Sequence, residues 1–488
     1  MSNGRVIKAG IGYTIGNFFL KGFTFLTVPI FARLLSTEDF GIYNTFIAYE
    51  TILFIIQGCA IHTSYNSAKL KYTVKNLNGE GLHSYSEYVS ASIMLIICNT
   101  IGLLIMLIPF GKCLQSALDL THVQLILLIL YSFSTAIVTC FNTDASLNYD
   151  YKRYLLVAGV NAISNLMLSI ILVLTVFSSR RYMGRILGTV IPMVIIAVIL
   201  VVYFFRTARP KYSKQYLKWG LSYSIPIIFH GLSQVILSQF DRIMIKRMVG
   251  NSEVGIYSFA YTIFSIINVI FTSLGTVWTP WFYEQMSKGE RERIKTIGTY
   301  YAVGILLLSI EVMLVCPELV LLLGTSKYAD ASYCAIPIIA SGVFVFLFTL
   351  PSSIEYYYEK TGYIAIGTMA AAGINVILNY YCIGKYGYVA AAYTTLFTYI
   401  LYFVFHLIIS RRIAGEFIFS NKMILLSSVV AIVAMILSLQ MMGHPLLRWG
   451  LSILIAGVAI IYEERRFGII GENAARYIKR IKNEGNDS

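Results

Sequence analysis

The sequence predicts an all-α membrane protein with about fourteen transmembrane helices. The chain of 488 residues is 57% hydrophobic and 13% charged, with a mean hydropathy of +0.71. Soluble domains carry about 25% charged residues. The apolar residues come in blocks long enough to cross a hydrocarbon core of about 30 Å. A repeat joins the two halves of the chain, which predicts two parallel six-helix lobes followed by two further helices.

The apolar blocks define the predicted spans and the division of the chain. The N-terminal lobe covers 1–210, the C-terminal lobe covers 211–415, and 416–488 holds the two extra helices and a basic tail. The first seven spans are predicted near 9–33, 43–66, 88–110, 122–142, 154–177, 184–205 and 219–247. The other seven are predicted near 254–277, 297–317, 332–354, 362–383, 387–409, 422–441 and 447–462.

An internal repeat relates the two lobes. Arg33, Gly41 and Tyr43 follow the first span, and Arg247, Gly255 and Tyr257 follow the seventh at a constant offset of 214 positions, as from Tyr43 to Tyr257. A weaker echo joins Asn165 to Asn375. Six spans separate the members of each pair, so the lobes have the same orientation in the membrane. The glycines are predicted to permit a tight turn or close packing, and the tyrosines to anchor at the membrane interface.

The distribution of basic residues predicts the orientation. With the N-terminus in the cytoplasm, most of the 38 Lys and Arg residues fall in cytoplasmic loops and in the tail, so both termini are predicted to be cytoplasmic. The outer segment Arg180-Arg181-Tyr182-Met183-Gly184-Arg185 breaks this rule. Either the fifth or sixth span is misplaced, or these arginines serve an outward-facing lumen.

Several functional classes lack support in the sequence. The net charge of +14 is spread over short clusters between apolar blocks, which argues against nucleic acid as a partner. The seven cysteines show no metal-ligand or disulfide spacing, and the chain has no P-loop or catalytic constellation. No cleavable signal peptide is predicted, because the first apolar block reads as a retained span. We therefore expect a protein that is not an enzyme and holds no metal or cofactor.

The segment after the first span resembles a known family. Ala32-Arg33-Leu34-Leu35-Ser36, followed by Glu38 and Phe40-Gly41-Ile42-Tyr43, is similar to the polysaccharide-synthesis branch of the multidrug/oligosaccharidyl-lipid/polysaccharide exporter superfamily. Gly58, Thr63, the Asp241-Arg242 pair and Tyr386 to Ala392 extend the resemblance, although Ala390 stands where glycine is common. The resemblance implies a V-shaped, two-lobe flippase in the cytoplasmic membrane. It implies an undecaprenyl-diphosphate-linked oligosaccharide as substrate, for O-antigen, capsule or exopolysaccharide synthesis.

Polar side chains recur along three predicted spans. Asn17 and Lys21 share a helical face with Thr14 and Thr24, while Glu50 and Gln57 share one with Tyr43 and Ser64. His230, Gln234 and Asp241 share a face of span seven with Tyr223. Ionisable groups within spans usually face a lumen. On the family analogy we expect these helices to line the cleft.

The chemistry of these residues fits a phosphorylated cargo. The predicted substrate-binding residues are Asn17, Lys21, Arg33, Gln57, Gln234, Arg242 and Arg247, because cations compensate a diphosphate and amides bind sugar hydroxyls. Glu50, His230 and Asp241 are the predicted sites for a coupling H⁺ or Na⁺.

Structural roles stay open for most of these residues. Glu50 could pair with Lys21, Asp241 with a basic residue on another helix, and Arg33 and Arg247 could snorkel to the interface. His230 could equally be a satisfied core histidine.

Three functions remain on the sequence alone. The first is an oligosaccharide flippase, with membrane lipids, a polysaccharide polymerase and glycosyltransferases as partners. The second is a lipid-linked peptidoglycan-precursor flippase or a multidrug exporter of the same superfamily. The third is an oligosaccharide polymerase, which the absence of a large predicted outer loop disfavours.

Overall fold

The computed structural model describes residues 3–73, 82–209 and 213–467, and within them it is helical without strands. Each predicted span coincides with a helix. Two short helices, α3 and α11, were not predicted. The helices of the first half are α1 (Asn3–Leu34), α2 (Thr37–Gln57), α3 (Tyr65–Thr73), α4 (Leu82–Leu118), α5 (His122–Leu147), α6 (Tyr151–Leu174) and α7 (Arg181–Thr207). Those of the second half are α8 (Lys214–Met248), α9 (Asn251–Lys288), α10 (Arg291–Leu314), α11 (Cys316–Leu323), α12 (Ala331–Tyr357), α13 (Thr361–Tyr386), α14 (Ala390–Ala414), α15 (Asn421–Gln440) and α16 (Pro445–Phe467).

The predicted all-α membrane fold is confirmed. In the described part of the chain, twelve helices are long and apolar enough to cross a membrane. The remaining two predicted spans are α1 and α16. Helix α1 spans 32 residues, and α16 contains the shorter apolar segment Pro445–Ile461.

Local signals in the sequence account for the helix ends. Ser36 accepts a hydrogen bond from the backbone of Asp39, whose carboxylate accepts one from the Ser36 backbone in return, so a capping box starts α2. Cys59 and Ala60 take left-handed φ values of 49° and 45° directly after α2. The second span was predicted as one segment over 43–66. The structure corrects this, because α2 begins earlier and ends at Gln57 before this backbone reversal.

The helices of each half pack mainly with one another, and α2 joins the halves. One apolar cluster runs through α8 to α15, and two smaller clusters lie among α2 to α7. Helix α2 packs along both α8 and α9. Phe31, Leu35 and Phe40 insert into the cluster of the second half.

The repeated glycines form the closest crossing between the halves. A methyl group on Gly41 would overlap the carbonyl oxygen of Asn251, and one on Gly255 would overlap that of Thr37. Beside them, the hydroxyls of Thr37 and Ser252 lie 2.7 Å apart. The close-packing role predicted for the glycines is therefore confirmed.

The tyrosines of the repeat differ from the prediction. Tyr257 is fully buried and donates a hydrogen bond to Asp241, while the Tyr43 hydroxyl lies 3.3 Å from that of Thr189. Both hydroxyls are therefore used inside the bundle and do not act as interfacial anchors.

Basic side chains reinforce the end of the bundle that holds this crossing, which we call the sealed end. Lys246 donates to the backbone carbonyl of Asp119 at 2.7 Å and lies 3.0 Å from its carboxylate. Arg181 donates to the carbonyl of Leu34 at 2.7 Å, and Lys327 donates to that of Leu35. These contacts tie connections from both halves together at one end of the molecule.

Candidate functional site

A central cavity of about 920 Å³ lies between the two halves, below the sealed end. Helix α1 contributes Leu20, Gly22 and Phe25, and α2 contributes Asn44. Along the other side α8 contributes Arg242, and α9 provides a run of residues from Ser258 to Ile270. The described lining contains one charged side chain, Arg242, and no acidic one.

Arg242 is held in place by neutral groups. Its Nε donates to the Ser258 hydroxyl at 3.2 Å and one Nη donates to the Ser238 carbonyl at 2.9 Å. The guanidinium carbon lies 4.6 Å from the centre of the Tyr261 ring. Among the described residues no carboxylate lies within salt-bridge distance of the guanidinium, and the Arg242 side chain is buried in the wall of the cavity.

Asp241, the neighbour of Arg242, is the centre of a buried network in the second half. Its carboxylate accepts hydrogen bonds from Tyr257 at 2.6 Å, from Asn379 at 2.6 Å and from Thr395 at 3.1 Å. Asn379 also donates to Asn375 at 3.0 Å. Helices α8, α9, α13 and α14 thus converge on a carboxylate with neutral donors, and its partners are not the basic residue considered from the sequence.

The equivalent region of the first half carries the opposite charge. Arg185 on α7 donates to Asn165 at 2.6 Å and to Ser169 at 2.7 Å, and its guanidinium stacks between Phe31 and Tyr43. Arg185 lies 210 positions before Thr395, the same offset that relates Asn165 to Asn375. The two halves therefore place a cation and an anion at related points of the same architecture.

Arg185 also lines a separate, smaller cavity of about 390 Å³ within the first half. Thr135, Thr139, Asn142 and Asn161 share its lining. The side-chain oxygens of Asn142 and Asn161 are buried there without a hydrogen-bond partner. Arg185 belongs to the outer segment that did not fit the predicted distribution of basic residues. In the structure it lies in the first turns of α7 and lines this cavity.

The structure brings only some of the predicted site residues together. Gln57 is buried in the first half, where its amide donates to Thr100 at 2.7 Å and to the carbonyl of Ile129. Glu50 is also buried there, beside Thr135, and one of its carboxylate oxygens has no hydrogen-bond partner. His230 is half-buried and Gln234 is exposed on α8. None of these four is among the described residues that line the central cavity.

The remaining predicted residues lie elsewhere. Arg33 and Arg247 are exposed at the sealed end, where they donate to the backbone carbonyls of Leu322 and Ala117. The side chains of Asn17 and Lys21 lie outside the described residues, so the proposed Lys21–Glu50 pair is also outside them. Lys21 is nevertheless adjacent in sequence to Leu20 and Gly22, which both line the central cavity.

Sequence reasoning missed Asn379, Thr395 and the polar face of α9. Hydroxyl and amide residues recur every three or four positions along α9, and that spacing was the available signal. In the described part of the chain no cluster of three or more His, Cys, Asp or Glu residues could hold a metal ion.

The chain is similar to known protein families and to a known membrane protein. A family model described as polysaccharide biosynthesis protein matches residues 6–286, and the MatE model matches 226–381. An uncharacterized membrane protein of Haemophilus influenzae is 23% identical over 368 residues, which cover 73% of this chain and 85% of the relative.

Two solved structures share the fold. The lipid II flippase MurJ, in an inward closed conformation, superposes with a TM-score of 0.68 at 14% identity and covers 93% of this chain and 99% of its own. An inward-facing multidrug resistance MATE family transporter gives a TM-score of 0.60 at 14% identity, over 80% of this chain and 98% of its own. The chain therefore belongs to the polysaccharide biosynthesis protein family, and it shares its fold with a lipid II flippase and a MATE family transporter.

Proposed function

We propose that the protein flips an undecaprenyl-diphosphate-linked oligosaccharide across the cytoplasmic membrane for surface polysaccharide synthesis. The observation that supports this most is the central cavity, whose described lining contains Arg242 as its one charged residue and no acidic residue. A cationic cavity compensates the charge of a diphosphate, whereas cationic drugs require an acidic one. Lys21, whose sequence neighbours Leu20 and Gly22 line the cavity, is the second cation in this proposal.

The direction of transport follows from the orientation that the basic residues predict. With both termini in the cytoplasm, the sealed end faces outwards and the cavity accepts its cargo from the inner leaflet. Movement of the N-terminal lobe (1–210) against the C-terminal lobe (211–415) would then separate Gly41 from Gly255 and release the cargo outside. The two extra helices within 416–488 would move together with the C-terminal lobe. A glycosyltransferase would supply the cargo and a polymerase would consume it.

Asp241 is the proposed site of the coupling ion, with Glu50 and His230 as further candidates. Three neutral donors surround the Asp241 carboxylate, and two of them come from helices α13 and α14. Occupation by H⁺ or Na⁺ would change which of these hydrogen bonds persist and so alter the packing of α8.

Deletion of the gene in the native host tests the cargo. We expect undecaprenyl-diphosphate-linked repeat units to accumulate on the inner leaflet, and wild-type protein to clear them. Arg242→Gln and Lys21→Ala should insert at normal levels without clearing them, whereas Lys295→Ala, half-buried near the start of α10 and outside the central cavity, should complement fully. Accumulation of a lipid-linked peptidoglycan precursor instead would identify the MurJ-like alternative, and unchanged lipid pools would contradict the proposal.

A further inference from the structure

Helix α9 presents a continuous polar face along its length. Its members recur every three or four residues and fall within roughly 120° of one another on a 3.6-residue helix. The opposite face is apolar and buried, with Ile263, Ile267, Phe271 and Trp278 in the core of the second half. We call the polar face the hydroxyl ladder, and it consists of Thr262, Ser265, Asn268, Thr272, Thr276 and Thr279.

The ladder lines two cavities that adjoin each other. Thr262 and Ser265 line the central cavity. Thr272, Thr276 and Thr279 line another cavity of about 470 Å³ between α9 and α12, which we call the second cavity. Asn268 lines both. The polar path therefore runs from the Arg242 region towards the end of the bundle opposite the sealed end, over about 25 Å of helix.

The ladder offers hydrogen-bond acceptors to whatever occupies the path. The hydroxyls of Ser265 and Thr276 donate to the carbonyls of Thr262 and Ser273, at 2.6 Å and 2.7 Å. Thr279 likewise donates to the Gly275 carbonyl at 3.2 Å. A hydroxyl whose proton is used within its own helix presents lone pairs outwards. The matching ligand is rich in O–H donors.

The far part of the path adds aromatic surface. Tyr283 and Tyr356 line the second cavity with 37% and 47% of their surfaces exposed, and Ser352 and Thr349 add further hydroxyls. Aromatic rings beside hydroxyl groups suit a sugar ring, which has apolar faces and a polar rim. No acidic or basic side chain is among the described residues that line this second cavity.

We propose that the hydroxyl ladder is the glycan-binding track of this protein, with the diphosphate at Arg242 and the sugars extending along α9 towards Tyr283. This inference rests on the proposed function. It adds that the two parts of the cargo bind separate surfaces, a cationic one on α8 and an acceptor-rich one on α9.

The test compares a glycosylated with an unglycosylated lipid. The double variant Thr276→Val/Thr279→Val removes two ladder oxygens while keeping the shape of both side chains. Purified protein in nanodiscs would be titrated with undecaprenyl diphosphate, and with the undecaprenyl-diphosphate-linked oligosaccharide extracted from a native host that lacks this protein. The control is Thr299→Val on α10, which donates to its own helix and lines neither cavity.

We expect the double variant to bind the glycosylated lipid about tenfold more weakly, because it loses two hydrogen-bond acceptors. Its affinity for undecaprenyl diphosphate should not change, whereas Arg242→Gln should weaken both lipids. Equal weakening of both lipids, or unchanged binding of the glycosylated lipid, would overturn the ladder proposal. Asn268→Leu is the second variant should the double variant unfold. A wild-type protein that binds neither lipid would instead contradict the proposed function itself.

Discussion

The glycine crossing at the sealed end gives the sharpest prediction, and Gly255→Ala is the perturbation. The added methyl would overlap the Thr37 carbonyl oxygen and lie 2.8 Å from its carbon and 3.2 Å from the Gly41 nitrogen. All three atoms belong to the α2 backbone, which cannot rotate away as a side chain can. The two helices must therefore separate for the substitution to fit.

The magnitude follows from two opposing effects. Overpacking a close contact costs about 1–3 kcal/mol. Replacing glycine by alanine within a helix returns up to about 1 kcal/mol through helix propensity. Gly275 on the same helix has open space around its Cβ position, so Gly275→Ala receives only the gain. We expect Gly255→Ala to lower the midpoint of thermal unfolding in detergent, and Gly275→Ala to leave it equal or higher.

A second assay reports the sealed end directly. Ser252 is half-buried at the crossing, so a cysteine there, in a chain whose seven native cysteines are replaced, should react faster with a thiol reagent when the end opens. A shift of about 1–2 kcal/mol corresponds to a roughly 5- to 30-fold faster reaction in the Gly255→Ala background. If both glycine variants kept the wild-type midpoint and labelling rate, the inferred tight contact between α2 and α9 would be refuted.

Three further predictions concern buried charges, and each is checked by thermal unfolding in detergent. Asp241→Ala should unfold at a clearly lower temperature than Asp241→Asn, because it leaves three buried donors unpaired at about 1–3 kcal/mol each; equal midpoints would contradict this. Arg448 on α16 binds both oxygens of Glu318, so Arg448→Ala should cost about 1.5–3 kcal/mol and Arg448→Met/Glu318→Gln should cost less. Arg185→Lys should also destabilise, because an ammonium cannot stack as a plane between Phe31 and Tyr43, and a wild-type midpoint would count against that packing.

The sequence predicts which segments are helical, but it does not predict which helices pack against each other. Each of the fourteen predicted spans coincides with a helix in the structure. The repeated Gly41 and Gly255 predicted a close contact, which the structure confirms. Helical periodicity places a residue on a face, but it does not say which other helix covers that face. Asp241 and Gln234 share a face of α8, yet Asp241 is fully buried and Gln234 is exposed.

The partners of Asp241 show what only the tertiary structure decided. Asn379 and Thr395 lie 138 and 154 positions further along the chain, and no local pattern links them to α8. The joining of two cavities along α9 is likewise a property of the packed bundle. In a membrane protein the lipid-facing and protein-facing sides of a helix are both apolar, so hydropathy determines how many helices there are while helix packing determines which polar groups meet.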